Sequence, residues 1–136
     1  MSAVNSSYDT IILGDGAGDA VNAQGGNFDT DIVGNGTGDA VNASISTYST
    51  ITVGNGGGDT VSAAHGSHEI RLGDGAGDTV TIHGPGGTIT LGNGSNDIVT
   101  SIGGGSTITV GNGKNDMVMI SEGGDSAITA GNGNTR

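Results

Sequence analysis

Six aspartates recur in step along this chain: Asp19, Asp39, Asp59, Asp78, Asp97 and Asp116. Each closes the same string, G-[DN]-G-x-[GN]-D: "GDGAGD" at 14–19, "GNGTGD" at 34–39, "GNGGGD" at 54–59, "GDGAGD" at 73–78, "GNGSND" at 92–97 and "GNGKND" at 111–116. The first glycines stand 19 or 20 residues apart, and a truncated seventh copy, "GNGN", begins at Gly131. A carboxylate is a hard oxygen donor, and one per repeat becomes a column once repeats stack. At about 5 Å separation and an effective dielectric of ~20, neighbouring carboxylates repel by about 3 kcal/mol. Such a column needs a neutraliser. The basic residues are only Arg71, Lys114 and Arg136, and protonation at neutral pH would require large shifts in several groups at once. A divalent cation between successive repeats is the simplest answer. The donors are all oxygen, from carboxylates, Asn amides and backbone carbonyls, which suits calcium best. The competing reading is an Asp that caps its turn by accepting local N–H groups.

The segments around the string must position these aspartates. Before it lie "TIIL", "TDIV", "TITV", "EIRL", "TITL", "TITV" and "AITA". Apolar residues alternate there with Thr, the period of a half-buried strand. After it lie "AVNA", "AVNA", "TVSA", "TVTI", "IVTS" and "MVMI", whose valines are Val21, Val41, Val61, Val80, Val99 and Val118. A looser Gly/Ser-rich link leads to the next copy. No segment reads as a helix. A unit this small cannot bury its own apolar face, so copies must stack. The expected fold is all-β: a parallel β-solenoid of the β-roll type, with two short strands per coil and about six 19–20-residue coils. At about 4.8 Å per coil the rod is on the order of 30 Å long. Residues 1–136 read as one repeat domain, and both ends fall inside a repeat, as in a piece of a longer array.

Composition narrows the classes further. Of 136 residues 30 are glycine, one is phenylalanine and none is tryptophan, too few large side chains for a conventional two-layer core. The net charge of −11 disfavours nucleic acid and anionic lipid as partners and favours cations. The absence of cysteine removes disulfides and thiolate metal sites. No apolar run is long enough to span a membrane, so membrane insertion is not expected.

Several residues outside the repeated aspartates stand out. Asp15 and Asp74 share a column with Asn35, Asn55, Asn93 and Asn112, which reads as a turn-forming Asx ladder ahead of a metal site. Tyr8, Phe28 and Tyr48 recur at period 20 and should stack on the loose-turn side, packing over that edge in preference to binding carbohydrate. His65, His68 and His83 lack a common spacing, which speaks against a transition-metal site. Asp31 stands where other copies have Ile, and a local register adjustment around "TDIV" would keep it out of the interior. Glu69 and Arg71 interrupt the Thr rows and read as solvated.

"GNGSNDIV" and "GDGAGDTV" resemble the G-x-G-x-D-x-U portion of the RTX, or hemolysin-type, calcium-binding nonapeptide, with one extra residue before the aspartate. The resemblance covers nearly the whole chain. It implies a roll that holds calcium through Asp19, Asp39, Asp59, Asp78, Asp97 and Asp116. It also implies help from glycine carbonyls of the preceding turns: Gly14 and Gly16, Gly34 and Gly36, Gly54 and Gly56, Gly73 and Gly75, Gly92 and Gly94, and Gly111 and Gly113. Such repeats typify secreted bacterial proteins, so an extracellular setting is implied too. The extra residue alters the turn. The opposite turn lacks a regular motif, so ions are expected along one edge and plain turns along the other.

Three functional classes follow. The first is a calcium-binding structural module, a spacer or folding-on-secretion segment of a secreted protein. The second is ice binding through T-x-T rows at Thr50 and Thr52, Thr88 and Thr90, and Thr107 and Thr109. The third is catalysis, which repeated equivalent carboxylates without a nucleophile–base pair do not support. Besides Ca2+, the expected association is end-to-end self-stacking through uncapped coils.

Overall fold

A computed structural model of the chain describes residues 1–2, 4–122 and 124–133. Arg136 and the last residues of "GNGNTR" lie outside them. The strands are β1 (Thr10–Ile12), β2 (Ala20–Asn22), β3 (Thr30–Val33), β4 (Ala40–Ala43), β5 (Thr50–Val53), β6 (Thr60–Ala64), β7 (His68–Leu72), β8 (Thr79–His83), β9 (Gly87–Thr90), β10 (Ile98–Ile102), β11 (Ser106–Val110), β12 (Met117–Ser121) and β13 (Ala127–Ala130). The odd-numbered strands form one seven-stranded sheet and the even-numbered strands a six-stranded sheet. Every pairing is parallel and joins one coil to the next. This is the expected β-solenoid of about six coils. Among the described residues no helix is long and apolar enough to cross a membrane.

The period-two pattern is what builds it. In β5 the inward residues are Ile51 and Val53, both buried, while Thr50 and Thr52 face outward. Val21, Val41, Val61, Val80, Val99 and Val118 pair in register on the other sheet. The first five are buried, and Val118, on the last strand of that sheet, is half-buried. The core is thus thin: rows of Ile, Val and Leu facing rows of Val, Ala and Ile. Each coil has too little apolar surface to stand alone, and stability resides in the coil-to-coil contacts.

Asp31 corrects an expectation. No register adjustment occurs: Asp31 pairs with Ile11 on one side and Ile51 on the other. A one-residue slip would have turned Val33 out and every neighbour with it. The chain keeps its register and buries the carboxyl at 0% exposure. Glu69 and Arg71 are also more than solvated. Arg71 Nε donates to Glu69 Oε1 at 3.0 Å, forming an exposed ion pair on the outer face of the seven-stranded sheet.

Candidate functional site: the carboxylate column of the tight turns

The six strings connect each odd strand to the next even strand, so parallel stacking superposes them along one edge. Their glycines do two jobs. At the fifth position Gly18, Gly38, Gly58 and Gly77, with Asn96 and Asn115 in the last two copies, have φ between +61° and +79°. This is the left-handed turn that delivers the following aspartate inward. The glycine at the third position is needed for proximity. A Cβ on Gly56 would lie 1.3 Å from the carbonyl oxygen of Gly36, and one on Gly94 1.5 Å from that of Gly75. Only a hydrogen fits between coils there.

The aspartates come together as predicted. Asp39, Asp59, Asp78, Asp97 and Asp116 are at most 2% exposed, and Asp19, in the first coil, is half-buried. Each carboxylate from Asp39 onward accepts, through Oδ1, the backbone N–H of the aspartate one coil earlier. The distances are 2.8 Å from Asp19 N to Asp39, 2.9 Å from Asp39 N to Asp59, 3.0 Å from Asp59 N to Asp78, 3.0 Å from Asp78 N to Asp97 and 3.1 Å from Asp97 N to Asp116. Turn capping is therefore real, but its donors lie 19 or 20 residues away, not in the local turn. The second oxygen is different. Oδ2 of Asp39, Asp59 and Asp116 is buried with no hydrogen-bond partner.

Burial dominates the electrostatics of the column. It pushes the Asp78 carboxyl up to about 6, against the Asp59 amide that lowers it and with the charges of Asp97 and Asp59 adding to the rise. Asp59 and Asp97 are raised for the same first reason. No basic side chain offsets this, since among the described residues the one ion pair is Arg71 with Glu69.

Beside this column runs a second, of opposite direction. Here the side chain of one coil accepts the N–H of the next. Asp15 Oδ1 takes Asn35 N at 2.8 Å, Asn35 takes Asn55 N at 3.0 Å, Asn55 takes Asp74 N at 2.9 Å, Asp74 takes Asn93 N at 2.7 Å and Asn93 takes Asn112 N at 3.1 Å. It is the expected Asx ladder, exposed along its length. The backbone and side-chain amides of Asn35 hold the Asp15 carboxyl below its ordinary value.

As donors for a cation, these parts are partly suited. Oδ2 atoms without a hydrogen are the acceptors a hard ion seeks, one per coil at Asp39, Asp59 and Asp116. Among the described residues, however, no three His, Asp or Glu side chains gather around one metal position. Any ion must complete its shell with backbone carbonyls and water. Some glycine carbonyls already have partners: those of Gly34, Gly54 and Gly73 accept the N–H of the next coil's first glycine at 3.1, 3.1 and 3.2 Å. Those of the third-position glycines, Gly16, Gly36, Gly56, Gly75 and Gly94, lie against the third-position glycine of the next coil.

The opposite edge is less plain than expected. Asp9, Asp29, Ser49 and His68 form a shorter inward column, with Asp9 N donating to Asp29 Oδ1 at 3.1 Å and Ser49 N to His68 Nδ1 at 3.4 Å. Asp29 and His68 are buried, and burial pushes the His68 imidazole down. Asp29 Oδ2, Ser49 Oγ, His68 Nε2 and both oxygens of Asp31 lack partners. The signal was present: Asp9, Asp29 and Ser49 recur at period 20 just before Thr10, Thr30 and Thr50. The change to His68 and then Gly87 hid it. His65 and His83 are exposed and do not converge with His68 on a metal position.

No family model, no curated protein and no solved structure matches this chain.

Proposed function

We propose that this chain is a calcium-binding structural module of a secreted protein, a rod whose folding is linked to cation binding. One observation carries the reading: a column of buried carboxylates, Asp39, Asp59, Asp78, Asp97 and Asp116, without a cationic partner among the described residues and with bare Oδ2 atoms at three of them. Ions would sit between successive coils on the tight-turn edge, held by carboxylates of this column with Asp19 at its start. Calcium would supply the positive charge that the sequence lacks. An ion that binds only the folded roll stabilises it by about 2.7 kcal/mol per independent site at 100-fold excess over Kd. Sites near the millimolar range of extracellular modules would leave the chain loose at cytosolic calcium and ordered outside the cell. No catalytic role is assigned, because equivalent carboxylates repeated down a column offer no unique acid–base pair.

The test is circular dichroism and thermal melting in EDTA and then in millimolar calcium. The expected result is a β spectrum and a higher melting temperature with calcium. An identical spectrum and melting temperature in both would refute the calcium linkage and leave the hydrogen-bonded ladder as the whole support.

A second reading, ice binding, has its own observation. The outer face of the seven-stranded sheet aligns Thr88 with Thr107 and Thr90 with Thr109 in register. Glu69 and Arg71 occupy the same rows one coil earlier and interrupt the face. Thermal hysteresis at millimolar protein tests it, and its absence removes this reading.

A further inference from the structure

The residue two positions before each odd strand's first Thr-row residue forms one column along the loose-turn edge. It runs Tyr8, Phe28, Tyr48, Ser67, Gly86, Gly105 and, in the last coil, Asp125. In the first three coils it is a ridge. The rings stack at 5.2 and 5.3 Å between centroids, with interplanar angles of 11° and 12°. They are 76%, 47% and 59% exposed. In the next three coils the same column opens into a shallow hollow of about 350 Å³, lined by Ser67, Gly86 and Gly105 with Glu69, Thr88 and Thr107.

The ridge residues are poorly suited to their backbone. Tyr8, Phe28 and Tyr48 have φ of +63°, +61° and +58°, a region that bulky L residues avoid. Gly86 and Gly105 meet the same demand without strain at +71° and +81°. Rings that are both strained and exposed, where glycine serves elsewhere, point to a role outside the fold.

We propose that the loose-turn edge is a self-complementary interface, on which a second copy of this chain packs antiparallel about a two-fold axis. The ridge of each copy enters the hollow of the other. Tyr8 meets Gly105, Phe28 meets Gly86 and Tyr48 meets Ser67, with the axis between the third and fourth coils. Ridge and hollow are each three coils long and share one rise per coil. An isologous contact therefore engages both ridge–hollow pairs at once. At roughly 200 Å² per aromatic side chain, the exposed fractions amount to about 360 Å² per ridge, about 730 Å² for two ridges. Burying about 240 Å² at each hollow as well brings the dimer to the roughly 1,200 Å² at which standard interfaces begin. The charge of −11 on each copy opposes association, so added salt should strengthen the dimer.

The experiment is sedimentation equilibrium of the chain in millimolar calcium, with circular dichroism confirming the β fold. The interface requires only the folded roll. If the calcium reading fails, the fold persists in EDTA and the same measurement applies there. The expected mass is twice the 13.0 kDa of one chain. The triple variant Tyr8→Asn, Phe28→Asn, Tyr48→Asn keeps residues tolerant of positive φ and should sediment as a monomer. Thr107→Trp, which fills the hollow three coils away from Tyr48, should also be a monomer, and it decides the matter if the triple variant unfolds. A wild-type monomer at millimolar protein overturns the proposal. So does a dimer that survives Thr107→Trp, or polymers that lengthen with concentration, which would indicate end-to-end stacking instead.

Discussion

Replacing Asp31 by Asn should stabilise the roll at neutral pH and leave it nearly unchanged in acid. Asp31 sits in the interior row between Ile11 and Ile51, fully buried, with neither oxygen hydrogen-bonded. Burial first, then the charges of Asp29 and Asp9, push its carboxyl from 3.8 up to about 6. A raised carboxyl favours the folded state when protonated. Its contribution is fully present below the unfolded value and is lost as pH rises through about 6. The shift of roughly two units corresponds to about 3 kcal/mol, the cost of holding the ionised form in the core at pH 7.5. Asn matches the neutral acid in shape and never ionises. Urea melts followed by circular dichroism, in constant calcium, should therefore favour Asp31→Asn by about 3 kcal/mol at pH 7.5 and by little at pH 4. In a thermal scan that is on the order of 10 °C. Equal effects at both pH values, or a less stable variant at pH 7.5, would refute a buried, unpartnered carboxyl at this position.

The tight-turn glycines give a sharp contrast. Gly56→Ala forces a Cβ to within 1.3 Å of the Gly36 carbonyl oxygen and should cost about 3 kcal/mol or more. Gly14→Ala meets nothing within 4 Å and should change stability by less than about 0.5 kcal/mol, both read from denaturant midpoints. In the carboxylate column, Asp59→Asn with Asp78→Asn retains an Oδ1 acceptor for each cross-coil N–H but removes charge. It should reduce the melting-temperature gain on adding calcium more than Asp9→Asn with Asp125→Asn does, and comparable losses would argue against the tight-turn site. Since the Asp78 carboxyl is pushed up to about 6, wild-type stability in EDTA should rise as pH falls through that value, protons replacing the cation.

Much of this molecule is legible in one dimension because its repeat is so regular. The Ile–x–Val alternation and the fixed valines dictate which side of each strand is buried. The 19–20-residue period dictates that equivalent positions stack, so the aspartate and Asx columns follow directly. Charge composition alone shows that three basic side chains are too few to neutralise fourteen acidic ones. What depends on distances between coils was not legible. Periodicity places Asp59 beside Asp78, but only the stacked backbone aims the Asp59 N–H at the Asp78 carboxylate and leaves the Asp59 Oδ2 bare. The third-position glycine looks like a turn former in sequence, and its reason is the carbonyl of the coil before it. Asp31 shows the same limit from the other side. Its identity argues for solvent, yet the pairing of β3 with β1 and β5 holds the register, and a single carboxyl cannot outweigh the ladder and apolar contacts of two neighbouring coils. Local pattern specifies which residues meet; the coil-to-coil packing decides which of their atoms are satisfied.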